Sequence, residues 1–233
     1  MDENVKNKEM LIIVNTKQHI YMLMHIFDIA SRCFKRIADV FIGLIGTLLL
    51  IPLTIILFIL KIITGEKGNL FYAQRRIGKN GKEFRMYKYR TMVDNSDEIL
   101  KKILEENISV KEEYTKYKKL KDDPRVTKIG KFLRYTSLDE FPQFFNVLLG
   151  NMSFIGSRPY LPREKEDMGC YYYYIIKNKP GITGLWQISG RSDVSFEKRL
   201  KLETFYSKKA CLRLDAEIFF KTFLVVLKHK GSR

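Results

Sequence analysis

Twenty consecutive residues, Phe41 to Leu60, carry no charge. That length matches the ~20 residues an α-helix needs to cross a bilayer core about 30 Å thick. A helix that is apolar all round belongs in a membrane or a deep core, so this segment is expected to be a membrane helix. Pro52 lies in its middle, where it removes a backbone hydrogen bond and clashes with the carbonyl one turn back, so a bend is expected there. Lys35 and Arg36 precede the run and Lys61 follows it, leaving the positive-inside rule no asymmetry to act on. A kinked span and a helix that enters and leaves on one face both fit these residues.

The N-terminus does not read as a secretory signal: Asp2, Glu3 and several lysines precede only a weak apolar stretch, with no small-residue cleavage site after it. Met10 to Val14 and Ile20 to Ile29 are apolar enough to pack on something, but residues 1–34 carry no identifiable chemistry and read as an extension. The three cysteines, Cys33, Cys170 and Cys211, are far apart and odd in number, which suits reduced thiols rather than a disulfide framework or a metal site. The formal charge of +16 calls for an anionic partner, whether nucleic acid, acidic lipid or a phosphorylated substrate. Nine of the residues from Lys61 to Arg90 are Lys or Arg against two Glu, a density that anionic headgroups or phosphates attract when it adjoins a membrane segment.

Asn69 to Tyr89 reads as a β-hairpin turning at Asn80-Gly81, residues that tolerate positive φ. In the charged stretch Asp94 to Lys121, Ile99, Leu100, Ile103 and Leu104 fall at helical spacing after an N-cap at Asn95 or Ser96, predicting a surface helix followed by a loop. Asp215 to Lys228 places Ile218, Phe219, Phe223, Val226 and Leu227 on a broad apolar face, suited to a core or an interfacial helix. The tyrosines Tyr171 to Tyr174 fit either an interfacial belt or a packed element.

Three stretches carry candidate chemistry. In Arg134-Tyr135-Thr136-Ser137-Leu138-Asp139-Glu140-Phe141-Pro142-Gln143, Ser137 to Glu140 fits a helix capping box, although Pro142 would then fall in the second turn. The same adjacent carboxylates, Asp139 and Glu140, could serve beside a bound phosphate as nucleophile or metal ligands. Gly156-Ser157-Arg158-Pro159 sets an arginine in a turn, where a planar guanidinium suits bidentate phosphate recognition. Lys179 to Arg191 (KPGITGLWQISGR) interleaves glycines and a lone tryptophan between basic residues, which suits a backbone loop beside an anion.

Taken in order, these stretches resemble the bacterial sugar transferase family, the small monotopic phosphoglycosyltransferases that begin glycan assembly on a polyprenyl carrier. The resemblance runs from about Lys35 to the C-terminus: the apolar segment with its central proline, Gln74-Arg75-Arg76-Ile77-Gly78, Tyr87-Lys88-Tyr89-Arg90-Thr91-Met92, Asp123-Pro124-Arg125, the Asp139-Glu140 pair, Asn146 to Ser153, Arg158-Pro159, and Lys179 to Arg191. It implies transfer of a sugar 1-phosphate from a UDP-sugar to polyprenyl (undecaprenyl) phosphate through a covalent aspartyl intermediate, with Mg2+ and release of UMP, as a first membrane step of capsule or exopolysaccharide synthesis. By position, Asp139 is the implied nucleophile, with Glu140 its acidic and metal-binding partner. Arg134 and Arg158 fall at the implied phosphate sites, and Lys179, Gly181, Thr183, Gly184, Gln187 and Arg191 in the segment near them. Two departures stand out: Ile51 where the family often has serine before the bending proline, and Ser157 where it often has proline before the arginine.

The expected architecture is α+β and mostly helical: a re-entrant membrane helix hairpin bent at Pro52, interfacial amphipathic helices and a small β-hairpin. The expected division is an N-terminal extension (1–34), the re-entrant helix (35–64) and a cytosol-facing catalytic domain (65–233). The implied location is the bacterial cytoplasmic membrane, monotopic and facing the cytoplasm, with no nucleic-acid partner. A homodimer is compatible with the sequence, which specifies neither the sugar nor the polysaccharide. The rivals are a membrane-tethered nucleic-acid-binding protein, supported by charge alone, and a noncatalytic scaffold.

Overall fold

The computed structural model describes residues 3–118, 120–190 and 194–227, with side chains from residue 22 to residue 225. Arg191 and the side chains of Met10 to Val14, Val226 and Leu227 lie outside that description. The fold is mostly helical with two small sheets, of which the sequence leads one to expect the antiparallel hairpin but not the parallel pair. Helix α1 (Glu3–Thr64) takes in the whole uncharged run and continues as one helix through Pro52. From Met22 onward it is long and apolar enough to cross a membrane, with most of that stretch unburied. The chain divides into two compact units at residue 38/39, inside this helix.

Within the second unit, residues 39–64 of α1 pack on the body that follows. The hairpin β1 (Phe71–Ile77) and β2 (Glu83–Tyr89) pairs Phe71 with Tyr89 and Ile77 with Glu83. Its turn has Asn80 at φ 57° and Gly81 at φ 78°, the positive dihedrals for which Asn-Gly is chosen. Leu57, Tyr89 and Leu133 form a buried cluster with Leu53 and Phe141 against it, and the hydroxyls of Thr54 and Tyr89 lie 2.6 Å apart. Leu53, Thr54 and Leu57 share one face of α1, so that face is protein-facing while Ile55, Ile56, Phe58 and Ile59 remain exposed.

After the hairpin come α2 (Ser96–Glu106) and α3 (Ile108–Tyr117). The expected surface helix is α2, with Leu100 its buried residue, but a second helix follows where a loop was expected. The acidic and basic residues of 108–117 masked its weak apolar stripe. Helices α4 (Lys128–Thr136) and α5 (Gln143–Leu149) flank the carboxylate pair. A parallel pair, β3 (Ser153–Ile155) and β4 (Gly181–Thr183), is bridged by the one-turn helices α6 (Lys165–Met168) and α7 (Tyr172–Ile175). Tyr171 and Tyr172 of the tyrosine run pack on the core, whereas Tyr173 is exposed. One-turn α8 (Leu185–Ile188), then α9 (Phe196–Lys209) and α10 (Leu212–Leu227) complete the fold. Helix α10 is two-faced: Ile218 is fully buried while Phe220, Phe223 and Leu224 are exposed. Cys33, Cys170 and Cys211 are exposed free thiols.

Two contacts hold α1 to the parallel pair and to α5. Buried Asp39 accepts hydrogen bonds from Ser153 Oγ (3.0 Å) and Phe154 N–H (2.8 Å). Further along, α1 passes so close to α5 that a Cβ on Gly46 would lie 2.2 Å from Phe144 Cγ, and one on Gly43 3.0 Å from the Leu148 nitrogen. The Phe144 ring is itself packed against Phe141 and Phe154, so it has little room to yield. Gly46→Leu should therefore destabilise the folded protein by about 1–3 kcal/mol, the usual cost of overpacking, read as a lowered midpoint of thermal unfolding in detergent, whereas Ile55→Leu on the exposed face should leave that midpoint unchanged.

Candidate functional site

The carboxylate pair sits on a single 3-10 turn, Leu138–Glu140, wedged between α4 and α5. Ser137 ends α4 in the left-handed region at φ 61° and makes no side-chain cap, so the capping-box pattern is not realised. The physical reason is Pro142, which delays the next helix until Gln143. The dyad is thus held on a turn rather than inside a helix.

What places a cation beside this turn is Asn146 on α5. Its fully buried amide accepts from Tyr87 N–H (3.0 Å) and donates to the Arg85 carbonyl (2.7 Å). Both partners belong to β2, so α5 and β2 are locked in register and Lys88 emerges next to the dyad. Lys88 Nζ lies 2.9 Å from Glu140 Oε1 and 4.0 Å from Asp139 Oδ2. The side chain of Asp139 is only 13% exposed against 38% for Glu140, so the two carboxylates differ in environment. Burial pushes the Asp139 carboxyl up to about 6; Lys88 opposes that rise, Glu140 adds to it, and Arg134 opposes it. Arg134, on α4, donates from Nε to Thr91 Oγ1 at 3.0 Å. Burial lowers its pKa and the Asp139 charge raises it.

A second basic cluster surrounds the turn after β3. The Arg158 guanidinium lies 5.4 Å and that of Arg199 4.6 Å from the centre of the Trp186 ring, within cation–π range. Arg76, on β1, donates to the Pro159 carbonyl at 3.0 Å. Burial brings both Arg76 and Arg199 down to about 10, with the neighbouring Arg158 charge the next cause in each case. Arg76 also feels Glu140, and so links this cluster electrostatically to the dyad.

The glycines of the third stretch have a steric explanation. A Cβ on Gly181 would lie 2.1 Å from the Gly156 nitrogen, and one on Gly184 2.1 Å from the Gly156 carbonyl oxygen. Lys179 directly precedes Pro180, whose carbonyl accepts the Ser153 N–H at 2.8 Å. The Thr183 hydroxyl lies 2.8 Å from that of Thr222 on α10. Gln187 donates to the Ile182 carbonyl at 3.2 Å, and its Oε1 is buried without a hydrogen-bond partner among the described residues. The structure thus brings Asp139, Glu140 and Arg134 together. It places Arg158 beside Trp186, and seats Gly181, Thr183 and Gly184 in the parallel pair that carries the Arg158 turn.

Sequence reasoning missed Lys88, Arg76 and Arg199 as parts of these clusters, and the buried Glu203, whose Oε1 accepts the Arg158 backbone N–H at 3.1 Å. Lys88 and Arg76 lie in stretches noted for their resemblance, and strand alternation could have put each on a definite face. Nothing local marks Arg199 or Glu203, which reach the site from a charge-rich helix.

With this geometry in hand, the sequence profile described as bacterial sugar transferase matches residues 30–229. The chain belongs to the bacterial sugar transferase family. It is 42% identical over 203 residues to the undecaprenyl-phosphate galactose phosphotransferase of Salmonella typhimurium, and 42% identical over 203 residues to the UDP-galactose-lipid carrier transferase of Erwinia amylovora. Each alignment covers 87% of this chain and 42% of the relative, so the chain spans less than half the length of these two proteins. It is also 41% identical over 199 residues to the exopolysaccharide production protein ExoY of Sinorhizobium fredii, covering 85% of this chain and 87% of ExoY.

In this bacterial sugar transferase, Lys88 pairs with Glu140 and lies 4.0 Å from Asp139. Lys88→Met should lower transferase activity at least about tenfold, since truncating one partner of a half-buried charge pair costs on the order of 2 kcal/mol, while Lys121→Met on the exposed surface should not change it. Initial rates on the two purified variants check this.

Proposed function

We propose that this chain transfers a sugar 1-phosphate from a UDP-sugar to a polyprenyl phosphate at the cytoplasmic membrane surface, through a phosphoaspartyl intermediate on Asp139. The observation that carries the reading is the Asp139-Glu140 turn, with Lys88 and Arg134 converging on a shielded carboxylate beside a membrane helix. The names of the Salmonella and Erwinia relatives, with their undecaprenyl-phosphate acceptor and UDP-linked donor, supply the substrate classes.

In the first step an Asp139 carboxylate oxygen attacks the sugar-linked phosphorus, and the bond from that phosphorus to the bridging oxygen breaks. UMP departs with the bridging oxygen and its electron pair. In the second step a phosphate oxygen of the polyprenyl carrier attacks the same phosphorus, restoring the Asp139 carboxylate and forming the polyprenyl diphosphate sugar. A carboxylate is a weak nucleophile, and its reactivity here comes from being held against a phosphate whose charge is neutralised. Lys88 and Arg134 supply part of that neutralisation, and Arg158 is placed to hold the donor phosphates. Two successive displacements also relieve the site of aligning a soluble donor and a lipid acceptor at once.

Magnesium binds through one or two carboxylates together with substrate phosphates and water, and the adjacent Asp139 and Glu140 are a donor set of that kind. Among the described residues no group of three or more His, Cys, Asp or Glu could cage a metal, so the fit is to an ion shared with the substrate. Held by Asp139 and Glu140, it would supply charge neutralisation on the pyrophosphate. Exhaustive chelation should abolish turnover, and added magnesium should restore it; full activity in the chelator would contradict this assignment.

The covalent route predicts exchange of labelled UMP into UDP-sugar without any lipid acceptor, and a sugar-phosphate adduct on the peptide containing Asp139. Asp139→Asn should abolish both, whereas Glu140→Gln should retain some adduct with impaired turnover. Exchange that survives Asp139→Asn would rule out the aspartyl intermediate.

The reading also makes residues 35–64 re-entrant, bent at Pro52 with both ends on the cytoplasmic side. In a background lacking native cysteines, Lys35→Cys and Lys67→Cys should react with a membrane-impermeant maleimide only after cells are opened. Labelling at one of them in intact cells would show a span instead.

A further inference from the structure

Glu203 is fully buried in α9, where carboxylates are rarely found without a partner. Its Oε1 accepts the backbone N–H of Arg158 at 3.1 Å, while its Oε2 is buried with no hydrogen-bond partner among the described residues. The groups facing it come from several elements. Arg158 and Tyr160 approach from the segment after β3, and Arg199 and Tyr206 from its own helix. Glu164 bears on Arg199 and Tyr160, while Asp39 of α1 and Asp215 of α10 bear on Tyr206. The Ser157 hydroxyl adjoins the same carboxylate without a hydrogen bond of standard geometry. Other buried atoms of this region also lack a hydrogen-bond partner among the described residues: the Nε atoms of Arg158 and Arg199, Trp186 Nε1 and Thr204 Oγ1. Such a concentration of buried polar atoms calls for a physical explanation.

The arrangement has a specific logic. Arg158 and Arg199 both lie over Trp186, and each guanidinium opposes the charge of the other. Like charges this close, one of them buried, stay together more readily with a carboxylate nearby. Glu203 and Glu164 both bear on this pair, and Glu203 grips Arg158 by its main chain, leaving the guanidinium unengaged by the same bond. We propose that Glu203 is a positioning residue: through the Arg158 N–H it fixes the Ser157–Pro159 turn and lies against the Arg158–Arg199 pair over Trp186, so that the arginine that receives the donor phosphate is held in place. This rests on the reading of Arg158 as a phosphate ligand, and it adds a residue outside the carboxylate dyad on which donor binding depends.

Trp186 is the single tryptophan of the chain, so its fluorescence reports on this cluster alone and needs no catalytic turnover. Burial, opposed by the Arg158 N–H and by the Arg158 and Arg199 charges, holds the Glu203 carboxyl up at about 7. Emission of the full-length protein in detergent should therefore shift with pH with a midpoint near 7. Glu203→Gln keeps an oxygen for the Arg158 N–H and should fold normally, yet lose that transition. Asp139→Asn should keep it, which separates this titration from that of the dyad. Glu203→Leu removes the acceptor and should weaken binding of UMP, followed by quenching of Trp186, about tenfold or more, with Glu203→Gln restoring affinity to within about threefold; one lost charge-assisted hydrogen bond is of that order. An unchanged emission transition in Glu203→Gln, or equal UMP affinity in a folded Glu203→Leu, overturns the proposal. Should Glu203→Leu fail to fold, the Glu203→Gln transition decides alone. Exchange persisting in Asp139→Asn would defeat the covalent mechanism and leave the fluorescence result standing on its own terms.

Discussion

One side chain, Asn146, sets the relation on which the rest of the site depends. Its buried amide satisfies an N–H and a carbonyl of β2 at once, and its own backbone carbonyl accepts from Asn151 and Met152 as the chain leaves α5. Strand, helix and exit turn are therefore referenced to one residue. A neutral amide suits this place because it both donates and accepts, and neither function is left buried and unmet. Because β2 is held there, Lys88 projects beside Asp139 and Glu140. Because α5 is held there, the short turn before it cannot drift. An apolar replacement would leave two strand groups unsatisfied, and the damage would reach the carboxylates without touching them.

The electrostatic organisation is built in two centres joined by Arg76. In one, two carboxylates share a lysine and differ in their exposure. In the other, arginines outnumber carboxylates and an indole ring takes part of their charge. Both centres keep cations where water is scarce, which raises the strength of their interaction with an incoming anion. The large positive formal charge of the chain is in this sense concentrated at working positions as well as spread over the surface.

Much of this was legible in the chain itself. The uncharged run announced α1, Asn80-Gly81 announced the hairpin, and the spacing of Ile99, Leu100 and Ile103 announced α2. The adjacent carboxylates stood out, although their neighbours suggested a capped helix rather than a turn. Pro142 carried the information needed to correct that, since a helix beginning at Leu138 would have met it almost at once. What could not be read was tertiary: that α9 sends Arg199 and Glu203 to the Arg158 turn, and that Gly181 and Gly184 are glycines because Gly156 passes within van der Waals distance. Side chains that meet across long stretches of sequence leave no local period. A short helix such as α3, with no buried residue of its own, leaves hardly more.

The face of α1 formed by Leu53, Thr54 and Leu57 is committed to protein, while its neighbours Ile55, Ile56, Phe58 and Ile59 are left exposed. In a bilayer of different thickness such a helix has no freedom to tilt by itself, because its hydroxyl contact with Tyr89 and its cluster with Leu133 would have to break first. Mismatch would instead be taken up by the surrounding lipid or by the domain leaning as one body. With the chain placed at a membrane as proposed, the distance from the carboxylates to the hydrocarbon boundary would be a property of the folded chain rather than of the membrane. On the proposed reading the protein carries its own ruler, and a lipid-borne phosphate would come to the height that ruler sets.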